Sequence, residues 1–88
     1  MQVEFETLTN EWTALSDIIT VSGSTTYLIQ NRGADTLVLL EADSEPQATD
    51  NEGVLVLPYQ TAQYKKGTQD LYLKAFNRGC SINISAEE

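Results

Sequence analysis

The chain has no histidine, and that one absence excludes a good deal. No ordinary Ser-His pair can form, and no side chain titrates unperturbed between about pH 5 and 8. A single cysteine, Cys80, excludes an internal disulfide and any cysteine-rich metal site, and fits folding in a reducing compartment. No glycine-rich phosphate loop is present. Basic residues are scarce, five against thirteen acidic, for a formal net charge of −8. Only Lys65 and Lys66 are adjacent, so the clustered cations that a nucleic-acid backbone requires are lacking and no nucleic-acid partner is expected. Long apolar runs are lacking too: the longest, residues 37–40 and 54–57, hold four residues each. A membrane span needs about 20. Residues 1–4 show no basic stretch leading into an apolar run, so no secretory signal is expected, and the chain reads as soluble and made in the cytosol.

What is present is alternation. Cys80, Ile82, Ile84 and Ala86 alternate with Ser81, Asn83 and Ser85, the period of a half-buried strand. Residues 2–8 alternate Val3, Phe5 and Thr7 with Glu4 and Glu6, which predicts an edge strand with a charged outer face. Residues 10–16 suit a single helical turn capped by Asn10. Residues 18–21 read as a short strand, turned by Ser22-Gly23-Ser24 into a partner at 25–30. Residues 36–41 are apolar on both faces and predict a strand inside a sheet covered on both sides. Residues 43–52 have no apolar period and form a loop with Pro46. Further strands fall at 54–57, stopped by Pro58, and at 60–65, 70–76 and 80–86. The tripeptide Asn-Arg-Gly occurs at 31–33 and 77–79, and its chemistry predicts tight hairpin turns.

Eighty-eight residues make one domain, 1–88, with a thin core that buries about 60–65% of the unfolded surface. The spacing predicts an all-β protein: a small β-sandwich, jelly-roll or Ig-like, of about seven or eight short antiparallel strands. A core this thin favours assembly with copies of itself or with a larger partner.

Candidate chemistry is sparse. Glu41, Asp43, Glu45, Asp50 and Glu52 border or lie in the long loop. They lack the alternating ladder, turn glycine and terminal glutamate of a calcium loop, so they read as solvated and no metal is expected. No catalytic residue and no cofactor is expected, and the chain does not read as an enzyme. Cys80, on the apolar side of its strand, reads as a small buried hydrophobe. The aromatics are more informative. Trp12 reads as a plug for the open end of the sandwich or as an interface anchor. Tyr59, Tyr64 and Tyr72 fall around Lys65-Lys66. The candidate partner-binding residues are Trp12, Asp43, Glu45, Tyr59, Tyr64, Lys65 and Lys66, with contacts from residues 43–52 and 59–66. Residues 37–40 and 54–57 could form an apolar surface completed by neighbours.

A larger arrangement joins these parts. Trp12 is followed by Gly-Ser-Thr-Thr-Tyr-Leu-Ile-Gln-Asn-Arg-Gly at 23–33, an apolar strand, and a polar loop with Pro46. Gly-Val-Leu-Val-Leu-Pro at 53–58 and Asp-Leu-Tyr-Leu-Lys-Ala at 70–75 complete it. The arrangement, from Trp12 to Ile84, is similar to small β-sandwich proteins encoded among the structural genes of tailed bacteriophages. Members of that group serve as capsid decoration or cement proteins, or as small tail and fibre components. The resemblance implies a virion structural protein, most simply a capsid decoration protein that stabilises the head through protein–protein contacts. It implies major capsid protein or other virion proteins as partners, a homo-oligomer with a trimer favoured, and a place in the virion, with the host cytoplasm during assembly. Two alternatives stand beside it. One is a carbohydrate- or receptor-binding module of a tail or fibre, with Trp12 or the tyrosines as a stacking platform. The other is an acidic inhibitor that mimics nucleic acid.

Overall fold

The alternation at the C-terminus is realised as the longest strand of the molecule. In the computed structural model, which describes residues 2–19, 26–47, 53–65, 67 and 69–87, eight strands follow in order. They are β1 (Gln2–Thr9), β2 (Thr13–Ala14), β3 (Thr26–Asn31), β4 (Leu37–Ala42), β5 (Val54–Val56), β6 (Thr61–Lys65), β7 (Asp70–Ala75) and β8 (Gly79–Glu87). A 3-10 turn at Leu15–Asp17 follows β2. One sheet has the order β1-β8-β3-β6 and the other β2-β7-β4-β5, and every pairing is antiparallel. The first strand pairs with the last, the second with the seventh, the third with the sixth and the fourth with the fifth. That is the jelly-roll arrangement, and it decides between the two sandwich types expected from the sequence.

The core fills the space between the sheets. Tyr27, Ile29, Ile82 and Ile84 of the first sheet meet Leu37, Leu39, Leu71 and Leu73 of the second. The rings of Tyr27 and Tyr64, opposite each other on β3 and β6, stack at 6.4 Å. Strand β4 lies between β7 and β5, as its two-sided apolar pattern predicts. At the start of β5, Gly53 has φ 132°, and a Cβ there would run into the Leu39 carbonyl oxygen, so only glycine lets the chain enter the strand.

Several local expectations are corrected. Residues 10–16 form no Asn10-capped helical turn: Thr13, β-branched and opposite Leu73, is drawn into β2, and the 3-10 turn begins after Ala14 without a side-chain cap. Ile18 and Ile19 are not strand. Their N–H groups both donate to the Leu15 carbonyl, and the rest of the expected strand and turn, 20–25, lies outside the described residues. Neither Asn-Arg-Gly is a hairpin. The first carries the chain from β3 to β4 and the second from β7 to β8, each passing from one sheet to the other. Strand β1 is an edge strand as expected, but its faces are reversed. Glu4 and Glu6 stand opposite Ile84 and Ile82, on the core side, and Phe5 opposite Asn83, on the outer side. An edge position lets carboxylates on the inner side escape to water, so the register satisfies β8 rather than β1.

Candidate functional site

The strand directions sort the connections into two ends. At one end lie the segments after β1, β3, β5 and β7; at the other lie the segments after the 3-10 turn, β4 and β6, with the C-terminus. Among the described residues the second end is acidic: Asp17, Glu41, Asp43, Glu45 and Asp70 against Lys65. Its carboxylates act together on Tyr72, whose hydroxyl is pushed up first by burial and then by Asp70, Glu45 and Asp17. The first end holds Glu11 and Asp35 against Arg32 and Arg78 and carries no net charge.

That neutral end is latched by two side chains. Asn31 is fully buried at the end of β3. Its amide donates to the Asp35 carbonyl at 2.7 Å and, across the sandwich, to the Val56 carbonyl of β5 at 2.9 Å. Its oxygen accepts from the Gly33 N–H and from the Cys80 thiol. The Asp35 carboxylate, just past the first Asn-Arg-Gly, gathers the N–H groups of Asn77, Arg78 and Gly79 of the second, at 3.0, 2.8 and 3.3 Å. It also accepts from the Thr36 N–H at 2.8 Å. Partial burial pushes this carboxyl up, but the donated bonds from Arg78, Asn77, Thr36 and Gly79 outweigh it and hold the group below its ordinary value. The two copies of the tripeptide are thus tied to each other, and the tie fixes both sheet crossings. A carboxylate so engaged is a weak base, suited to structure rather than proton transfer. Cys80 is buried against Asn31, and desolvation together with the Asp35 charge pushes its thiol up, which makes it unreactive near neutrality.

The latch presents an apolar rim. Phe76 lies beside Thr36 on the outer face of the second sheet, since the Phe76 N–H donates to the Thr36 carbonyl and continues the β4–β7 ladder, and Leu57 follows the end of β5. Leu55 lies beside Val38 in the next row. Tyr59, in the turn from β5 to β6, has φ 64°, a strained conformation for a bulky residue, and projects outward. Leu55, Leu57, Phe76 and Tyr59 are 40 to 70% exposed.

The seven residues singled out from the sequence do not converge. Trp12 is only 6% exposed. It lies on the outer face of the second sheet, where it covers Val38 and Tyr72, donates its indole N–H to the Gln47 carbonyl at 2.8 Å, and stacks under Lys74 Nζ at 4.8 Å. It is therefore a plug, but for a second small core outside the sandwich rather than for the open end, and it is not available as a stacking platform or an exposed anchor. Asp43 and Glu45 are exposed at the acidic end. Tyr64 is buried beside Tyr27, and Lys65 is exposed at the end of β6. Lys66 lies outside the described residues. Tyr59 alone falls on the neutral rim. Sequence reasoning missed Asn31, Asp35 and Phe76 as parts of this end. The repeated tripeptide was their signal, read as turn chemistry alone.

Open grooves indent the surface formed by the described residues. One of about 520 Å³ is lined by Ala34, Asp35, Asn77, Arg78 and Gly79 at the latch, and one of about 470 Å³ lies beside Phe5 and Arg32. The third, about 380 Å³, opens between β5 and β6 beside Val54 and Tyr64. The last of these brings the Glu41 carboxylate beside the Tyr64 hydroxyl, which burial and the Glu41 charge push up, and among the described residues no cluster of three metal-ligating side chains forms. Comparison with protein-family models, with curated proteins and with solved structures gives no match.

Proposed function

We propose that this chain is a non-enzymatic structural protein of a tailed-bacteriophage virion, most simply a capsid decoration protein that docks on the shell by its neutral end. The observation that carries this reading is the rim of Tyr59, Leu57 and Phe76 on an end without net charge among the described residues, in a molecule whose other end gathers Asp17, Glu41, Asp43, Glu45 and Asp70. Aromatic and aliphatic groups on a rigid, uncharged base are the usual anchors of protein interfaces. The acidic end then faces solvent and keeps many copies apart. Jelly rolls recur in viral capsids, which supports the reading by analogy of fold, as does the resemblance drawn from residues 12–84. The major capsid protein is the partner proposed, and the contact adds interface area across shell subunits.

The test is add-back. Shells assembled without the chain lose heat resistance and regain it when the protein is supplied. Tyr59→Gly removes the anchor while relieving a left-handed backbone, so it binds shells at least about tenfold more weakly with an unchanged or higher Tm. Protein that never associates with shells overturns the reading. The gathering of carboxylates at the other end favours a second reading, an inhibitor that presents carboxylates in place of phosphates. Failure to compete with DNA for a nucleic-acid enzyme removes it.

A further inference from the structure

On one side of the sandwich the two sheets end in β6 and β5, and these edge strands do not match in extent. Strand β6 runs on to Tyr64 and Lys65, whereas β5 begins only at Val54, opposite Leu39. Among the described residues, Leu40 and Glu41 of β4 therefore have no strand beside them on that side, and the groove of about 380 Å³ opens there. Its walls are apolar, with Leu39 and Val54 from one sheet edge, Ala62 from the other and Leu71 behind. Two polar groups interrupt them. Tyr64 is only 8% exposed, and its hydroxyl is buried and makes no hydrogen bond. The Glu41 carboxylate and the Gly67 backbone stand near that hydroxyl, neither in bonding geometry. Among the described residues that line the groove, Glu41 is the one charged group.

A hydroxyl so placed is destabilising, because it gives up water and gains no partner inside. Phenylalanine would keep the ring against Tyr27 without that cost. An apolar recess on which a few polar groups converge is the usual form of a small-molecule site. We infer that this groove binds a small free amine, an ammonium on a short arylalkyl or alkyl body. Charge complementarity selects the head. The Glu41 carboxylate attracts a cation, and the Asp70 charge acts at the same hydroxyl. An ammonium between the two side chains donates one bond to the carboxylate and one to the Tyr64 oxygen, which satisfies the unpartnered group. The body then lies against Leu39, Val54 and Ala62. An anionic head would meet like charge. The volume, near the lower limit of small-molecule sites, holds one ring and a short chain. The groove lies apart from the Tyr59 rim, and the inference does not depend on the docking reading.

Titration of the purified full chain with phenethylamine at neutral pH, followed by NMR chemical shifts, tests this. Saturable shifts are expected at Leu39, Ala62 and Tyr64. Phenethyl alcohol and hydrocinnamate, which carry the same body on a neutral and an anionic head, are expected to bind at least about tenfold more weakly. Glu41→Gln, at an exposed position, is expected to keep its Tm and to lose at least about tenfold in affinity for the amine. Tyr64→Phe is expected to hold or raise the Tm while weakening the amine at least about fivefold. The absence of saturable shifts, equal binding of the alcohol, or undiminished affinity in Glu41→Gln each overturns the inference. So does a clearly lower Tm in Tyr64→Phe, since the hydroxyl would then have a partner within the folded chain. None of these results bears on shell binding, and a protein that never binds shells but takes up the amine removes only the docking reading.

Discussion

The outer faces of the two sheets differ more than any other pair of surfaces in the molecule. The face formed by β1, β8, β3 and β6 carries Thr7, Ser81, Asn83, Gln30, Thr61 and Gln63, a mostly polar surface interrupted by Phe5 and Leu28 and ended by Lys65. The face formed by β2, β7, β4 and β5 carries Val38, Leu40, Tyr72 and Leu55, roofed in part by Trp12. The first sheet has one dry side and one mostly polar side, whereas the second is apolar on both. A sheet with one dry side needs nothing beyond its own sandwich. One with two must find cover, and this chain supplies part of that cover itself and leaves a corner unfilled.

Removing the roof breaks the comparison most directly. Trp12→Ala loses the bond to Gln47, uncovers Val38 and Tyr72, and leaves Lys74 without its aromatic partner. The expected cost is about 3–5 kcal/mol, or a fall in Tm of roughly 15 °C or more. An unchanged Tm would mean that the second sheet's outer face is no core at all.

This contrast also explains what could be read from the residues alone. Strand β8 was legible because one side is wet, so its composition writes the alternation directly. Strand β4 was legible as covered on both sides, but what covers it was not, and β7 was legible only as a strand. Trp12 meets Gln47 across 35 positions, and no local pattern records such a contact. Turn residues at 31–33 and 77–79 mark a change of direction equally well for a hairpin and for a crossing between sheets. Which one occurs depends on partners chosen far along the chain. In β1, Glu4 and Glu6 looked outward because charge normally does, and the edge position made the opposite register harmless. Of the candidate site, Tyr59 and the apolar run 54–57 were visible; the neutral end was not, because charge by end requires the topology.

Two unlike sheets keep their register at the neutral end through the Asp35 latch, and acid should loosen it. Because the folded Asp35 value lies below the ordinary 3.8, its stabilisation is present above that pH and is lost as pH falls through the lower folded value. Asp35→Asn is expected to cost about 2 kcal/mol at neutral pH, near 10 °C in Tm, through weakened charge-assisted bonds. The gap between the variant and the wild type should narrow as pH falls below 3.8 and close once the carboxyl is protonated in the folded state as well. A constant gap across the whole range would show that the four N–H donors are held by something other than the charge. The wild type should therefore show an acid limb below about pH 4 that the variant lacks.

The smallest effect sharpens the contrast from the other side. Thr61 stands on the outer face of the first sheet, opposite Gln30, with its side chain in solvent. A lysine there keeps its ammonium in water, disturbs no neighbour, and slightly offsets the net −8. Thr61→Lys should change stability by no more than about 0.5 kcal/mol and should leave the mass in solution unaltered. The same substitution at Val38, on the outer face of the second sheet, forces an ammonium beneath Trp12 beside the cation of Lys74 and should prevent folding at ordinary temperatures. If Thr61→Lys proves costly instead, the first sheet's outer face is dry in solution. The solvent-facing character of Thr61 and its neighbours would then be wrong.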